Sequence, residues 1–421
     1  MVTGPLRLLQ LVHGYPPAVG GVERAVSDLC EWLVRERGAE VTVLTTNAYT
    51  NANFHDGSLP TVPIERGERR NGVPVHRFPA ATRWTLPLRV AQKAAYALRV
   101  PGNDWLRTWY QGPISPGLRR AARAADADVV CAASFPLNHL FYAFRGGRPG
   151  PPVVLLGSIH TEDRWGYERR NLMALTRRAW ATVAHTEPEA AWLIERGAPA
   201  GRVVVIPEGI DETAPPVEQG AFRRSRRIPD GAFLAAYVGQ QGSHKGIDVL
   251  LKSLPALLER EPSARLVIAG ARTPYSPTVR RTVAELLPAA QERVCVLDDL
   301  DEQGKSELLA DCDVFVSPSR YESFGITTLE AWRRGKPVVV GDGPAPRWVL
   351  GGGATGLLVP YGDRDALVAA LARLAVHPEL RRELGEAGRQ RFLQQFTAQR
   401  ISEQYYQLFL SAKAHRANMS A

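Results

Sequence analysis

The sequence predicts an α/β protein built from two doubly wound domains, each a largely parallel sheet with helices on both faces. Three observations predict it. Short, almost continuously apolar runs alternate with helical stretches, the pattern of strands buried on both faces of a parallel sheet. The alternation runs through twice, with an acidic, proline-rich, aperiodic break between the rounds, and each round opens on strand, glycine loop and helix.

The first round reads LRLLQLV, AEVTVLTT, VPVHRF, ADVVCAAS, PVVLLGSIH, ATVAH and RVVVIP as strands, with helices such as GVERAVSDLCEWLVRERG and EPEAAWLIERG between them. It spans residues 1–206. Residues 207–220, PEGIDETAPPVEQG, read as a linker. The second round, residues 221–395, reads FLAAYVG, ARLVIAG, RVCVLDD, CDVFVSPS, PVVVGD and GLLVP as strands. The closing stretch FLQQFTAQRISEQYYQLFL carries aromatics at helical spacing, which makes it an amphipathic helix that packs on something. Ligands of such sheets bind beyond the carboxyl ends of strands. The two sheets are therefore expected to face one another across a cleft lined by Gly20, Gly21, Gly239 and Gly246.

Length and composition agree with two cores: 421 residues, of which 45% are hydrophobic, divide naturally into two domains. No apolar run approaches the roughly 20 residues of a membrane span, and MVTGPLRLLQLVHGYPP lacks a basic leader followed by an apolar core. The expected location is cytoplasmic. Cys30, Cys131, Cys295 and Cys312 fall in one expected helix and three expected strands without metal-like spacing, so they read as reduced core residues. A net charge of +9 can mean an anionic partner, whether phosphorylated substrate, membrane surface or nucleic acid, but arginines are scattered along the whole chain and a nucleic-acid partner is not expected. Lysines are scarce, six among 52 basic residues, so a lysine at a chosen place is informative.

The most informative stretch is RYESFGITTLEAWRRGKPVVVGDG, residues 320–343. Its first residues have loop composition, Ile326 to Arg334 has helical periodicity, and Gly335 stands where a helix C-terminal cap belongs. Glu322 then lies in the loop, Gly325 at the helix start and Glu330 inside the helix. A helix N-terminus beside glycine offers free N–H groups and positive dipole to a phosphate. Flanking carboxylates accept hydrogen bonds from hydroxyls, and phosphate plus polyhydroxyl describes a nucleotide sugar. Taken alone, the stretch is equally an acidic surface loop leading into a helix.

PPAVGGVER, YVG followed by HKGIDVLL, CDVFVSPSRYESFGITTLEAWRRGKPVVV and GATGLLVP together resemble the retaining glycosyltransferases of family 4, along essentially the whole chain. The resemblance implies the GT-B fold, two Rossmann-like domains facing a central cleft, with residues 396–421 as a helix crossing back to the first domain. It implies a first domain that binds the acceptor, a second that binds the donor, and transfer of a hexosyl-type sugar from a nucleoside diphosphate sugar with retention, without metal or other cofactor. It also implies site residues. Glu330 takes the ribose hydroxyls, Glu322 lies by the donor sugar, and the backbone of Phe324, Gly325 and Ile326 holds sugar and phosphates. Lys245 neutralises the diphosphate leaving group, Gly20 and Gly21 let the backbone approach it, and Gly239 and Gln240 close the loop after the second domain's first strand. His160 matches a histidine near the reacting sugar; by itself it reads as a satisfied histidine at a strand end.

Departures from the family pattern keep alternatives open. An arginine is usual at Gln240, an asparagine at Glu208, and an acidic residue after the PVV strand where this chain has APRWVLGGG. His244 or Arg347 are candidates for the missing phosphate charge. A sugar-nucleotide epimerase or phosphorylase of the same fold, and a non-catalytic sugar-nucleotide-binding protein, stay as other readings. The acceptor, a glycan, glycolipid or small metabolite, is met in the first domain. There Trp84, Trp105, Trp109 and Tyr110 are interleaved with Arg83, Arg89, Lys93, Arg99 and Arg107. That interleaving suits peripheral contact with the inner face of an anionic membrane, and equally the packing of a soluble-acceptor cleft.

Overall fold

The computed structural model describes residues 4–18, 20–145 and 150–420. The chain divides into two compact units, Met1–Glu208 with Ala398–Ala421, and Gly209–Thr397.

The first unit has eight strands: β1 (Arg7–Leu11), β2 (Glu40–Thr46), β3 (Arg69–Arg70), β4 (Val73–Phe78), β5 (Val129–Ala132), β6 (Val153–Leu156), β7 (Ala181–Ala184) and β8 (Val203–Val205). Their order is β3-β4-β2-β1-β5-β6-β7-β8. All neighbours run parallel except β3 and β4, an antiparallel hairpin. That hairpin is absent from the sequence reading, although Asn71 (φ 46°) and Gly72 (φ 87°) form the two-residue Asn-Gly turn that favours one. Apolar layers cover both faces of the sheet. One contains Cys30, Trp32 and Leu33 from the helix Gly21–Arg37, and the other Leu172 and Leu193.

The helix Ala398–Ser420 belongs to this unit, burying Ile401, Tyr405, Phe409 and Ala412 in the first of those layers. Lys413 Nζ meets Asp128 Oδ2 at 3.0 Å beside the start of β5. The FLQQF that precedes it is not part of the same helix. The helix Pro378–Gln395 ends before Phe396, which is fully buried against Phe324, Trp332 and Trp348 of the second unit. A continuous helix would have carried that ring out of its apolar site.

The second unit has six parallel strands: β9 (Leu234–Val238), β10 (Arg265–Gly270), β11 (Val294–Asp298), β12 (Val314–Ser317), β13 (Val338–Gly341) and β14 (Leu357–Val359). The order β11-β10-β9-β12-β13-β14 is the doubly wound 3-2-1-4-5-6 arrangement. Its topological switch lies between β9 and β12, which pair with Val314 opposite Ala235. Cys312 is not in a strand as expected: it follows the helix Glu302–Asp311, its N–H closing on the Leu308 carbonyl, and β12 begins at Val314. All four cysteines are unpaired thiols, three of them buried.

Candidate active site

The switch point explains how Lys245 and Glu322, 77 residues apart, come to touch: each follows the carboxyl end of one of two adjacent strands. Lys245 Nζ donates to Glu322 Oε2 at 2.8 Å. Two backbone contacts hold the loops together. The Arg320 N–H donates to the His244 carbonyl at 2.7 Å. Gly246, in the left-handed region at φ 69°, lies so close to Pro318 that a Cβ would come within 2.9 Å of its carbonyl carbon. Only glycine fits there, for conformation and for space.

Gly325, at φ 91°, is the N-cap of the helix Ile326–Arg333, and no side chain caps that end. Its first N–H groups therefore point out with the dipole behind them. Phe324 is buried against Phe396, which anchors the turn, while Ile326 is partly exposed. Ser317, Ser319, Glu322 and Thr328 share a small pocket at this turn with the apolar Phe324 and Leu350. Glu330, within the helix, is buried, and Lys305 Nζ from the helix Glu302–Asp311 donates to its Oε1 at 2.7 Å. Lys305 drew no attention in the sequence; its scarcity as a lysine was the available signal.

Gly239 follows β9, and the neighbouring Gln240 is exposed, its carbonyl accepting from Tyr237 Oη at 2.9 Å. Gln241, passed over in the sequence, is the buried member of the pair: its Nε2 donates to Asp298 Oδ1 at 2.8 Å, and Arg272 holds the same carboxylate from the far side. Arg272 and Gln241 together draw Asp298 below its ordinary carboxylate value. Arg347 is committed to Asp342.

In the first unit Gly20 and Gly21 begin the helix Gly21–Arg37. Gly20, at φ 177°, has extended backbone open to any residue; what a side chain would meet there is the Glu23 carboxyl carbon, at 2.7 Å. Glu23 is buried, yet hydrogen bonding and charge from His13, at 2.9 Å, outweigh the burial and hold it below its ordinary value. His13 Nδ1 in turn meets Ser134 Oγ at 2.6 Å, beyond β5. His160 follows β6 and packs edge-on against Tyr167 at 5.7 Å.

Glu208 is tied down as well. Its Oε1 lies 3.1 Å from His185 Nε2, beyond β7. His185 is fully enclosed, and burial opposes its charge, but Glu208, Glu189 and the Ile206 carbonyl outweigh that and raise its pKa above 6.5. Glu189, buried beside it, is raised by desolvation. The residue read as a departure is thus the partner of a buried histidine.

The aromatic segment folds into a short turn and two helices, Thr85–Ala97 and Asp104–Gln111. Trp84, Leu86, Val90, Tyr96, Leu98, Trp105 and Trp109 are exposed, an unusually apolar surface. Arg107 differs from the rest: it is buried, stacked at 4.7 Å over Trp165. Trp105 and Phe141 line a groove of about 400 Å³ with Arg170 and Arg178 at its edge.

Comparison with known proteins identifies the chain. Residues 19–214 match the model described as Glycosyltransferase Family 4, and residues 218–391 that of Glycosyl transferases group 1. A D-inositol 3-phosphate glycosyltransferase of Nocardiopsis dassonvillei is 32% identical over 77% of this chain and 82% of its own length. The chain belongs to glycosyltransferase family 4. It is also 31% identical to a D-inositol 3-phosphate glycosyltransferase of Kribbella flavida, over 57% of this chain and 55% of that relative, so this match spans about half of the relative's length. A glycogen synthase of Mycobacterium tuberculosis is 27% identical over 97% of this chain and 95% of its own. Among solved structures, sucrose-phosphate synthase from Thermosynechococcus elongatus superposes with a TM-score of 0.73 at 20% identity, covering 97% of this chain and 99% of that one. Anabaena HepE, solved with UDP-glucose, gives 0.69 at 17%, covering 96% and 100%. The fold is GT-B. Among the described residues no helix is long and apolar enough to cross a membrane.

Proposed function

We propose that this glycosyltransferase moves a hexosyl unit from a nucleoside diphosphate sugar to a hydroxyl acceptor with retention of anomeric configuration. The observation that carries the reading is the glycine-capped helix start at Gly325, with Glu322 and Glu330 beside it and Lys245 on the first of these carboxylates. The open N–H groups suit the diphosphate, Glu330 the ribose diol and Glu322 the sugar hydroxyls. As the bond from the anomeric carbon to the β-phosphate oxygen breaks, its electron pair leaves with the phosphate. Lys245 and the helix end stabilise that charge. The acceptor oxygen bonds to the same face of the carbon, and its proton passes to the departing phosphate oxygen, so no separate base is needed.

HepE's complex with UDP-glucose favours a uridine donor by analogy. The exposed tryptophans and flanking arginines favour an acceptor presented at an anionic lipid surface, with the Trp105 groove open to its apolar part. A panel of UDP-, GDP- and ADP-sugars, screened by thermal shift and then by turnover, tests the donor. NMR of the product's anomeric centre tests the stereochemistry. A product of inverted configuration, or nucleotide binding with no transfer to any hydroxyl, refutes the proposal.

A further inference from the structure

We infer that Lys305 is a positioning residue that holds Glu330 for a two-hydroxyl ligand, and thereby sets how strongly the protein prefers a ribonucleotide to a deoxyribonucleotide. The inference rests on the proposed function, which places the ribose at Glu330.

The argument begins with scarcity. Arginines outnumber lysines in this chain by 46 to six, yet both carboxylates of the candidate site are held by lysine, Glu322 by Lys245 at 2.8 Å and Glu330 by Lys305 at 2.7 Å. Geometry gives a reason. A guanidinium presents a planar fork that spans both oxygens of a carboxylate, whereas an ammonium is a compact charge that engages one. Here Lys305 Nζ meets Oε1. A carboxylate meant to accept two hydroxyls needs its charge compensated without being covered.

Burial makes the compensation necessary. The Glu330 side chain is 5% exposed and that of Lys305 16%, so neither is a surface ion pair held loosely in water. Lys305 is also fixed from its other side. It stands on the helix Glu302–Asp311, where Glu302, one turn earlier, accepts from it at 3.0 Å. The ammonium thus hangs between an exposed carboxylate on its own helix and a buried one on the next, and that defines where the buried one points.

The test measures the affinity of whichever of UDP, GDP and ADP binds best, and of its 2′-deoxy counterpart, by calorimetry on the full chain. Lys305→Met, Lys305→Arg and Glu330→Ala are compared with the native protein. Lys305→Met is expected to weaken the ribonucleotide about 10-fold, as for loss of a charge-assisted contact, while the deoxynucleotide changes by less than about twofold. Lys305→Arg keeps the charge and the melting temperature, and is expected to lose the ribose preference too, because the fork covers the carboxylate. A merely structural role predicts that Arg restores the native preference. That result, or a Lys305→Met protein that keeps it while Glu330→Ala loses it, overturns the inference and leaves the proposed function standing. If Glu330→Ala itself keeps the preference, or the native protein has none, the inference falls together with the placement of the ribose at Glu330, while turnover and product stereochemistry still decide the proposed transfer.

Discussion

Gly246→Ala tests the architecture of the site without presupposing its chemistry. At φ 69° the residue is in the left-handed region, which costs an alanine about 1–2 kcal/mol. The new Cβ would also lie 2.9 Å from the Pro318 carbonyl carbon, where nothing flexible can turn aside, because the neighbour is backbone. Relieving such overpacking typically costs about 1–3 kcal/mol. The sum, roughly 2–5 kcal/mol, lowers the melting temperature of a unit the size of Gly209–Thr397 by about 4–20 °C at about 2–4 °C per kcal/mol. The displacement also separates the Lys245 turn from the Glu322 loop, and a shift on the order of 1 Å at a reacting centre costs about 100-fold in rate. The assay is calorimetric unfolding, resolved for two units, alongside turnover with the best donor. Gly231→Ala is the control, since its Cβ meets open space; it is expected to be neutral or stabilising by up to about 1 kcal/mol. A Gly246→Ala protein that melts and turns over like the control refutes the claim that this glycine sets the site.

Four further outcomes are expected. Lys245→Ala lowers kcat by about 10²–10³-fold, as for other single electrostatic donors, and Gln240→Arg tightens nucleoside diphosphate binding; unchanged kcat removes Lys245 from the leaving group. In the His185–Glu208 pair, burial opposes the imidazolium but Glu208 and Glu189 outweigh it, so the folded pKa of His185 lies above its ordinary 6.5. Its stabilisation is therefore complete below about pH 6.5 and is lost as pH rises through the folded value. Glu189, Ser158, the Ile206 carbonyl and Tyr405 surround the pair. The melting difference between native protein and Glu208→Gln should shrink from pH 5.5 to 8.5, and a constant difference sinks the assignment. In co-sedimentation, the native chain should bind anionic vesicles at low salt and lose them at high salt, and Trp105→Ala/Trp109→Ala should bind less. Equal pelleting of both proteins at low salt excludes these tryptophans from the interface.

Local chemistry suffices to read the two sheets, nearly every strand and the ends of the helix at Ile326 from the chain. Apolar runs such as VVLL and VVV are buried on both faces, and Gly325 and Gly335 adopt positive φ at either end of that helix. Motif spacing also carried the family. Tertiary structure alone decided the partners. Lys245 meets Glu322 because β9 and β12 are neighbours at the switch point, and no window of sequence contains both. Lys305 reaches Glu330 because consecutive helices lie on one face of a parallel sheet, and Glu208 proves to have a buried partner only once His185 is brought beside it. The break at Phe396 has the same origin: periodicity favours one helix, but burial of that ring against Trp332 outweighs a continuous turn. Side-chain pairing depends on strand order, a property of the whole sheet, while strand formation depends on a few adjacent residues.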